Sequence, residues 1–290
     1  MRPGCSREAE HQKMIFGFRE FSVLRDHIYT RTGVYIGDRK VYLLKRRIEQ
    51  RLSALGLSSV REYLNYLKHW DESGKEFEEL VSAITVNETY FFREFPQLQA
   101  FAEHCLPEIV EERGTSRVRI LSAGCSTGEE AYTLSIVCQE MLDPPHTFSI
   151  DALDIDYHAL EKARRGVYEE RAVRDVPKVY LDKYFERTRE GFVVKEAVRR
   201  FVTFRKINLN NREALLAVGR NFDFVFCRNV LIYFSDDSRR KVVETFYAMM
   251  NPGGYIFLGH SESMSRITSA FELQRMGGVL VYRKPLQELV

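Results

Sequence analysis

The stretch "RVRILSAGCSTGEEAY", Arg117–Tyr132, reads as a short β-rich run, a glycine-containing turn and the opening of a helix. That order puts backbone N–H groups and a helix N-terminus at the end of a strand, where they can meet a ligand. Gly124 and Gly128 permit close backbone approach and positive φ. The same texture continues outward. A helix is expected from about Gly128 to Leu142, followed by "FSIDALDID" (Phe148–Asp156), "FDFVFCRN" (Phe222–Asn229), a helix ending at "NPGG" (Asn251–Gly254) and "YIFLGHSE" (Tyr255–Glu262). Strands alternating with helices predict an α/β domain with a mostly parallel sheet covered on both faces.

Before this domain the texture differs. From Phe18 to about Leu80 apolar residues recur at three and four, with turn signals at Thr32-Gly33, Gly37-Asp38, Gly56 and Ser73-Gly74, which predicts an all-helical segment. Inside the α/β part, Arg164 to about Lys206 is longer and more polar. "YFERTREGFVVKEAVRRFVTF" (Tyr184–Phe204) has hairpin texture with a turn at Glu190-Gly191, which predicts a small antiparallel β insertion at about residues 183–206. The expected organisation is a helical domain over 1–85, a linker over 86–106 and the α/β domain over 107–290.

Composition narrows the function classes. The 290 residues are 44% hydrophobic and 29% charged, enough for a substantial core. Lysine plus arginine (43) nearly balances aspartate plus glutamate (41), so no global field favours nucleic acid. The five cysteines contain no CxxC pair, and the seven histidines are dispersed, which argues against a disulfide framework and a metal site. Met1–Met14 carries Glu8, Glu10, His11 and Lys13 where a signal peptide needs an apolar run, and no window supplies the roughly 20 apolar residues of a membrane span. A cytoplasmic location without membrane insertion is expected.

The glycine turn excludes two common ligands. It lacks Gly-Lys-Ser/Thr, so a P-loop is not indicated, and Ser126 stands where a dinucleotide fingerprint needs its second glycine. Glu129 and Glu130 in the first helical turn suit the helix dipole but would repel a pyrophosphate. Asp154, just past the second strand, can accept hydrogen bonds from ribose hydroxyls. A nucleoside that carries positive charge instead of phosphate describes S-adenosylmethionine. Taken alone, the loop also fits a tight turn with capping acids, and Asp154 an acidic turn residue.

Five segments in order carry a resemblance: "TVNETYFFRE" (Thr85–Glu94), "AGCSTGEEAY" (Ala123–Tyr132), "LDID" (Leu153–Asp156), "FCRNVLIYF" (Phe226–Phe234) and "GGYIFLGHSES" (Gly253–Ser263). Together they resemble the chemotaxis receptor methyltransferases of the CheR family, which methylate glutamate side chains. The resemblance implies a class I S-adenosylmethionine-dependent (Rossmann-like) methyltransferase fold with an all-helical N-terminal domain and a small β insertion. By motif it implies cofactor contacts from Asn87, Thr89 and Arg93 in the linker, Glu129 at the glycine loop, and Asp154 at the ribose. Asn208 and Leu209 of "KINLNN" would lie near the adenine, with Arg228 and Asn229 after the fourth strand. Ala131 departs from a proline often found after the acidic pair, a pre-organising choice only.

The implied chemistry is methyl transfer to a carboxylate, and a glutamate with a pKa of about 4.3 is already ionised at neutral pH, so no general base is required. Alignment and exclusion of water are what the enzyme must supply. Arg93 offers a planar fork for a substrate or cofactor carboxylate, and Tyr233 a hydroxyl; the resemblance places both near the transferred methyl. Without it, Arg93 reads as a surface partner of Glu94 or Glu130, and Tyr233 as a buried aromatic. In "NETYFFRE" the three aromatics are expected to pack at a domain junction, with Asn87, Thr89 and Arg93 reaching the cofactor.

The segment "RKVYLLKRRIEQR" (Arg39–Arg51) places Lys40, Arg47 and Arg51 within about 40° on a helical wheel, beside the apolar stripe of Val41, Leu44, Ile48, Leu52 and Leu55. This basic ridge suits docking on the acidic cytoplasmic helices of methyl-accepting receptors; the bland alternative is a solvated face whose arginine stems cover apolar surface. A receptor C-terminal peptide at the β insertion is a further implied partner, and a monomer is expected. Three other readings compete. "DPPH" (Asp143–His146) superficially resembles an amino-nitrogen methylation motif, but it precedes the second strand and reads as a helix stop. A non-catalytic adaptor would have no use for all the intact segments. His260-Ser261-Glu262, the one tempting local metal group, reads as the closure of a strand end.

Overall fold

The computed structural model describes residues 18–37, 41–114 and 117–286. They divide into two units, one of residues 18–30 and 36–84 and one of residues 31–35 and 85–286, each within the described ranges.

The first unit is helical: α1 (Phe18–Thr32, whose last two residues count with the second unit), α2 (Val41–Leu55), α3 (Val60–His69) and α4 (Lys75–Ile84). Apolar residues at helical spacing bury one face of each helix, as with Leu44, Ile48 and Leu52 on α2 and Val60, Tyr63, Leu64 and Leu67 on α3. The starts of α3 and α4 are capped by side chains. Ser59 Oγ accepts the Glu62 N–H (3.2 Å) while the Glu62 carboxylate accepts the Ser58 N–H (2.8 Å). The Asp71 carboxylate accepts the N–H groups of Glu76 (3.1 Å) and Phe77 (2.8 Å) at the head of α4.

In the second unit, α5 (Phe95–Ala100) runs through a π turn (Phe101–Cys105) into α6 (Leu106–Arg113). Residues 86–106, expected as a linker, are therefore helical from Phe95 onward. Pro96 starts the helix, and Leu98, Phe101, Cys105, Leu106 and Ile109 bury one face.

The main sheet is built from β1 (Arg117–Ala123), α7 (Glu129–Met141), β2 (Thr147–Asp154) and α8 (Tyr157–Arg165), then a subdomain described below, then β6 (Val202–Lys206), α12 (Arg212–Leu216), β7 (Phe222–Cys227), α13 (Asp236–Met249), β8 (Met250–Leu258), β9 (Glu272–Met276) and β10 (Val279–Arg283). Its order is β6-β2-β1-β7-β8-β10-β9, parallel from β6 to β8, with β10 and β9 antiparallel at one end. The central strands are buried on both faces. Phe224 and Phe226 of β7 point into a cluster with Phe101, Tyr132 and Phe257, while Val225 points to the other face with Leu121, Phe246 and Met249. The strand order reverses between β1 and β7, so the crevice beyond their C-terminal ends is the expected ligand position.

The small antiparallel sheet has the order β3-β5-β4, from β3 (Val167–Tyr168), β4 (Phe185–Thr188) and β5 (Gly191–Val194), with short helices α9 (Glu170–Val173) and α10 (Lys178–Tyr184) before β4 and α11 (Glu196–Arg199) after β5. The hairpin at Glu190-Gly191 lies where its turn signal stands. Val202–Lys206, grouped with the insertion by its alternating texture, is instead the edge strand of the main sheet, registered Ile150↔Val202 through Asp154↔Lys206. An alternating five-residue run looks the same in a hairpin and at a parallel edge.

Candidate functional site

The turn after β1 is fixed by backbone. Gly124 and Cys125 both donate to the Leu153 carbonyl (2.7 and 2.9 Å), which locks the loop to the end of β2. Gly124 has φ +84, and a Cβ there would lie 2.3 Å from Val230, so only glycine fits. Ser126 sits in the left-handed region (φ 49) and donates its N–H to Asp154 Oδ2 at 2.7 Å.

Asp154 is 8% exposed and accepts a second N–H, from Asp156, at 2.9 Å. Burial pushes its carboxyl up to about 6, against the pull of these hydrogen bonds. Glu129 is 2% exposed, receives the Thr127 hydroxyl (2.6 Å), and is also raised by burial. Asp156 caps α8 and accepts Thr85 Oγ1 (2.9 Å) and Asn87 Nδ2 (2.7 Å); Asn87 Oδ1 in turn accepts Ser126 Oγ (2.9 Å). Asn87 is thereby tied to both the β1 and β2 loops, with Thr89 half-buried two residues on.

This donor set tests the ligand inferred above. Among the described residues no cation is in hydrogen-bonding contact with the buried acids Asp154 and Glu129, and each carboxylate keeps lone pairs beyond the bonds it makes. Ribose hydroxyls and an ammonium or sulfonium charge would satisfy them; a pyrophosphate would be repelled. S-adenosylmethionine fits.

Arg93 lies in a tight turn between Phe92 (φ 60) and Glu94 (φ 57), two non-glycine residues in the left-handed region. Aromatic anchoring holds the turn: Phe91 is fully buried and packs edge-on against Tyr168 (4.9 Å) and Phe185 (5.0 Å), and the Phe92 N–H donates to Thr133 Oγ1 (3.2 Å). The Arg93 guanidinium donates to the Glu88 carbonyl (2.6 Å), and its own carbonyl accepts Arg228 Nη1 (2.9 Å). Arg228, whose side chain is 4% exposed, also donates through Nε to Glu130 (2.8 Å) and faces Glu94 at 3.8 Å. Its guanidinium is committed to protein acceptors, so what Arg228 offers a ligand is its backbone.

Tyr233 ends a 3-10 turn, Leu231–Tyr233, and its carbonyl accepts the Tyr35 N–H (2.7 Å). Burial raises its phenol, and the Arg93 charge pulls the other way, which brings these two residues within electrostatic reach. Asn229 is left-handed (φ 60). Asn208 donates to the Arg31 carbonyl (2.7 Å) and accepts the Asn210 N–H (2.9 Å), and Leu209 is buried. Residues 31–35 thus touch both the Asn208 loop and the Tyr233 turn.

The arginines expected to dock the receptor belong to the helical unit. Arg51 grips Glu76 with Nε (3.0 Å) and Nη2 (2.6 Å), and lies 3.5 Å from Glu79. Arg47 donates to the Ala83 carbonyl. Lys40 lies outside the described residues. Among the described residues no group of three or more His, Cys, Asp or Glu could hold a metal ion.

Three acids hold the site in ways the sequence did not assign: Asp156 holds Asn87; Glu130, weighed as a partner of Arg93, pairs with Arg228; and Glu262, weighed in a metal group, accepts N–H groups from three loop residues. Asp156 carried a signal, an Asp before a helical run. Glu130 and Glu262 carried none, since their partners are remote in sequence.

Two family models match the chain: "CheR methyltransferase, SAM binding domain" over residues 87–278 and "CheR methyltransferase, all-alpha domain" over residues 19–85. Chemotaxis protein methyltransferase 2 of Vibrio cholerae is 41% identical, covering 92% of this chain and 93% of that protein. The chemotaxis protein methyltransferase of Escherichia coli is 34% identical, covering 89% and 87%, and chemotaxis protein methyltransferase 1 of Pseudomonas aeruginosa 32%, covering 91% and 97%. With both of its parts matched and relatives aligned over most of their length, the chain belongs to the CheR methyltransferase family.

Proposed function

We propose that this methyltransferase esterifies glutamate side chains on the cytoplasmic helices of chemotaxis receptors, setting sensory adaptation. The buried, cation-free Asp154 beside the Gly124 turn carries the cofactor side of this reading; the family and its chemotaxis relatives carry the substrate side. Bound S-adenosylmethionine supplies an electrophilic methyl whose passage to a carboxylate oxygen breaks the carbon–sulfur bond and leaves a neutral ester and a neutral thioether.

The protein's own residues prepare for that. Asp154 and Glu129 hold the ribose and the cationic end, Asn87 and Thr89 close over from the segment before α5, and the Asn208-Leu209 and Arg228-Asn229 loops complete the walls. Arg93 holds a carboxylate in place while Tyr233 orients its oxygen, and both displace water from a weak nucleophile. Orientation of this kind is worth roughly 7 to 11 kcal/mol in ideal cases.

Two finer parts rest on supporting features. The edge strand β4 of the small sheet has an open side that an extended receptor peptide can pair with. Arg47 and Lys40 remain the docking cations, with Arg51 bound internally to Glu76. No described helix is long and apolar enough to cross a membrane.

Labelled S-adenosylmethionine incubated with receptor cytoplasmic domains should place base-labile methyl esters on glutamates; label confined to nucleic acid or small molecules would refute the reading. Arg93→Ala should lower turnover by about 10²- to 10³-fold with the fold intact. Near-normal turnover in that variant removes Arg93 from the mechanism.

A further inference from the structure

Glu262 follows β8 in the segment that the sequence marks only as a strand end, yet its carboxylate bridges two loops. Oε2 accepts the N–H of Asn229 (2.8 Å) and of Gly259 (2.8 Å), and Oε1 accepts the N–H of Ile232 (3.1 Å). Asn229 precedes the turn that ends in Tyr233 and Ile232 lies within it, and Asn229 is in the left-handed region, a conformation that costs energy unless something holds it. The approach is close enough to dictate a neighbour. A Cβ on Gly259 would fall 2.7 Å from the Asn229 nitrogen and 2.9 Å from Glu262 Oε2. On its other side the same turn is held by the Tyr35 N–H on the Tyr233 carbonyl.

We infer that Glu262 is a positioning residue for methyl transfer: by accepting the Asn229, Ile232 and Gly259 N–H groups, its carboxylate sets the Asn229–Tyr233 turn and so aims the Tyr233 hydroxyl. The inference rests on the reading that Tyr233 lines the transfer site. A carboxylate suits the task because it presents two oxygens and no donor to converging N–H groups. Glutamine has one oxygen and turns an NH₂ against an N–H, so the turn must shift.

The test is a double-mutant cycle of Glu262→Gln and Tyr233→Phe in the full chain, with kcat, the KM for S-adenosylmethionine, and thermal stabilisation by S-adenosylhomocysteine measured for each. Glu262→Gln should lower kcat roughly tenfold to hundredfold, as misplacement of a reacting group does, with the cofactor KM within about threefold of wild type. The double variant should be no slower than the slower single one, because a mis-aimed hydroxyl and an absent hydroxyl are the same loss. Fold-losses that multiply, or a Glu262→Gln enzyme with wild-type kcat, would overturn the inference. A Tyr233→Phe enzyme with wild-type kcat overturns the Tyr233 reading, and this inference with it, and is told apart from the other failures by that single variant alone. If Glu262→Gln fails to fold, Glu262→Asp keeps the charge at shorter reach and serves the same comparison.

Discussion

Each unit buries acid, and each treats it differently. Glu76 in the helical unit is 5% exposed and receives the Tyr63 hydroxyl (2.6 Å) and two nitrogens of Arg51. The pair is neutral and self-contained; the Glu76 hydrogen bond raises Arg51, and burial and that acid push the Tyr63 phenol far up. Asp154 in the sheet unit has two backbone N–H groups and no bonded cation, and it sits at about 6. Charge that is compensated inside the protein builds structure; charge left uncompensated marks where a ligand completes the balance.

Removing the compensation is the most severe way to break this contrast. Arg51→Ala leaves Glu76 buried and unpaired, and should cost about 3 to 5 kcal/mol of stability, read by urea unfolding followed through helical content. Cofactor affinity of the molecules that remain folded should be unchanged. Substitution by lysine keeps a charge at Glu76 and should recover much of the loss.

The converse experiment relieves the uncompensated acid. The folded-state carboxyl of Asp154 is raised from 3.8 to about 6 by burial, so between roughly pH 4 and 6 the folded protein holds a proton that the unfolded chain releases. Ligand-free stability therefore falls as pH rises through that window, by up to about 3 kcal/mol at 1.36 kcal/mol per pKa unit. Asp154→Asn should flatten the slope and raise the ligand-free melting temperature at pH 7.5, while abolishing stabilisation by S-adenosylhomocysteine. A variant that gained no stability, or kept its ligand response, would show that Asp154 is an ordinary turn acid.

Arg228 combines the two behaviours, since it neutralises Glu130 as Arg51 neutralises Glu76 but also binds the carbonyl of Arg93. Arg228→Lys keeps the charge and loses the fork, so Glu130 stays paired while the Arg93 turn loosens. The expected result is a kcat about tenfold lower, near 1.4 kcal/mol in the barrier, with a melting temperature close to wild type. Equal losses in stability and activity would place Arg228 with Arg51 as a purely structural ion.

The contrast also explains what could be read in the sequence. The strands at Arg117, Phe148, Phe222 and Tyr255 and the helices of the first unit carry their period in neighbouring residues, and the glycine turn carries its chemistry in the same few positions. The edge strand Val202–Lys206 was hidden because a short alternating run does not reveal its partner. The ion-pair partners were hidden for a related reason: Glu130 and Arg228 are 98 residues apart, and Arg51 and Glu76 are 25 apart. Nothing local in "KRRIEQR" separates an arginine that holds a core acid from one that faces solvent. The strained backbone was equally silent. Among the described residues, Phe92, Glu94, Ser126 and Asn229 hold positive φ around the site, and only the asparagine is a residue type that favours it.

The smallest expected effect lies on the basic ridge. With Arg51 bound to Glu76 and 3.5 Å from Glu79, neutralising all three cations would confuse docking with unfolding. Lys40 and Arg47 are the pair to change, each to glutamine, with the melting temperature measured alongside because Arg47 also donates to the Ala83 carbonyl. Cations at the rim of an acidic helical partner act on encounter more than on the bound state, so apparent receptor affinity should weaken by about threefold at low ionic strength. The difference should vanish near 0.5 M salt, where the screening length is only about 4 Å. The kcat at saturating receptor and the cofactor KM should stay at wild-type values, since Arg47 belongs to the helical unit and Asp154 to the other. An unchanged salt dependence would reduce the ridge to a solvated helix face, and the receptor would then have to be recognised by the sheet unit alone.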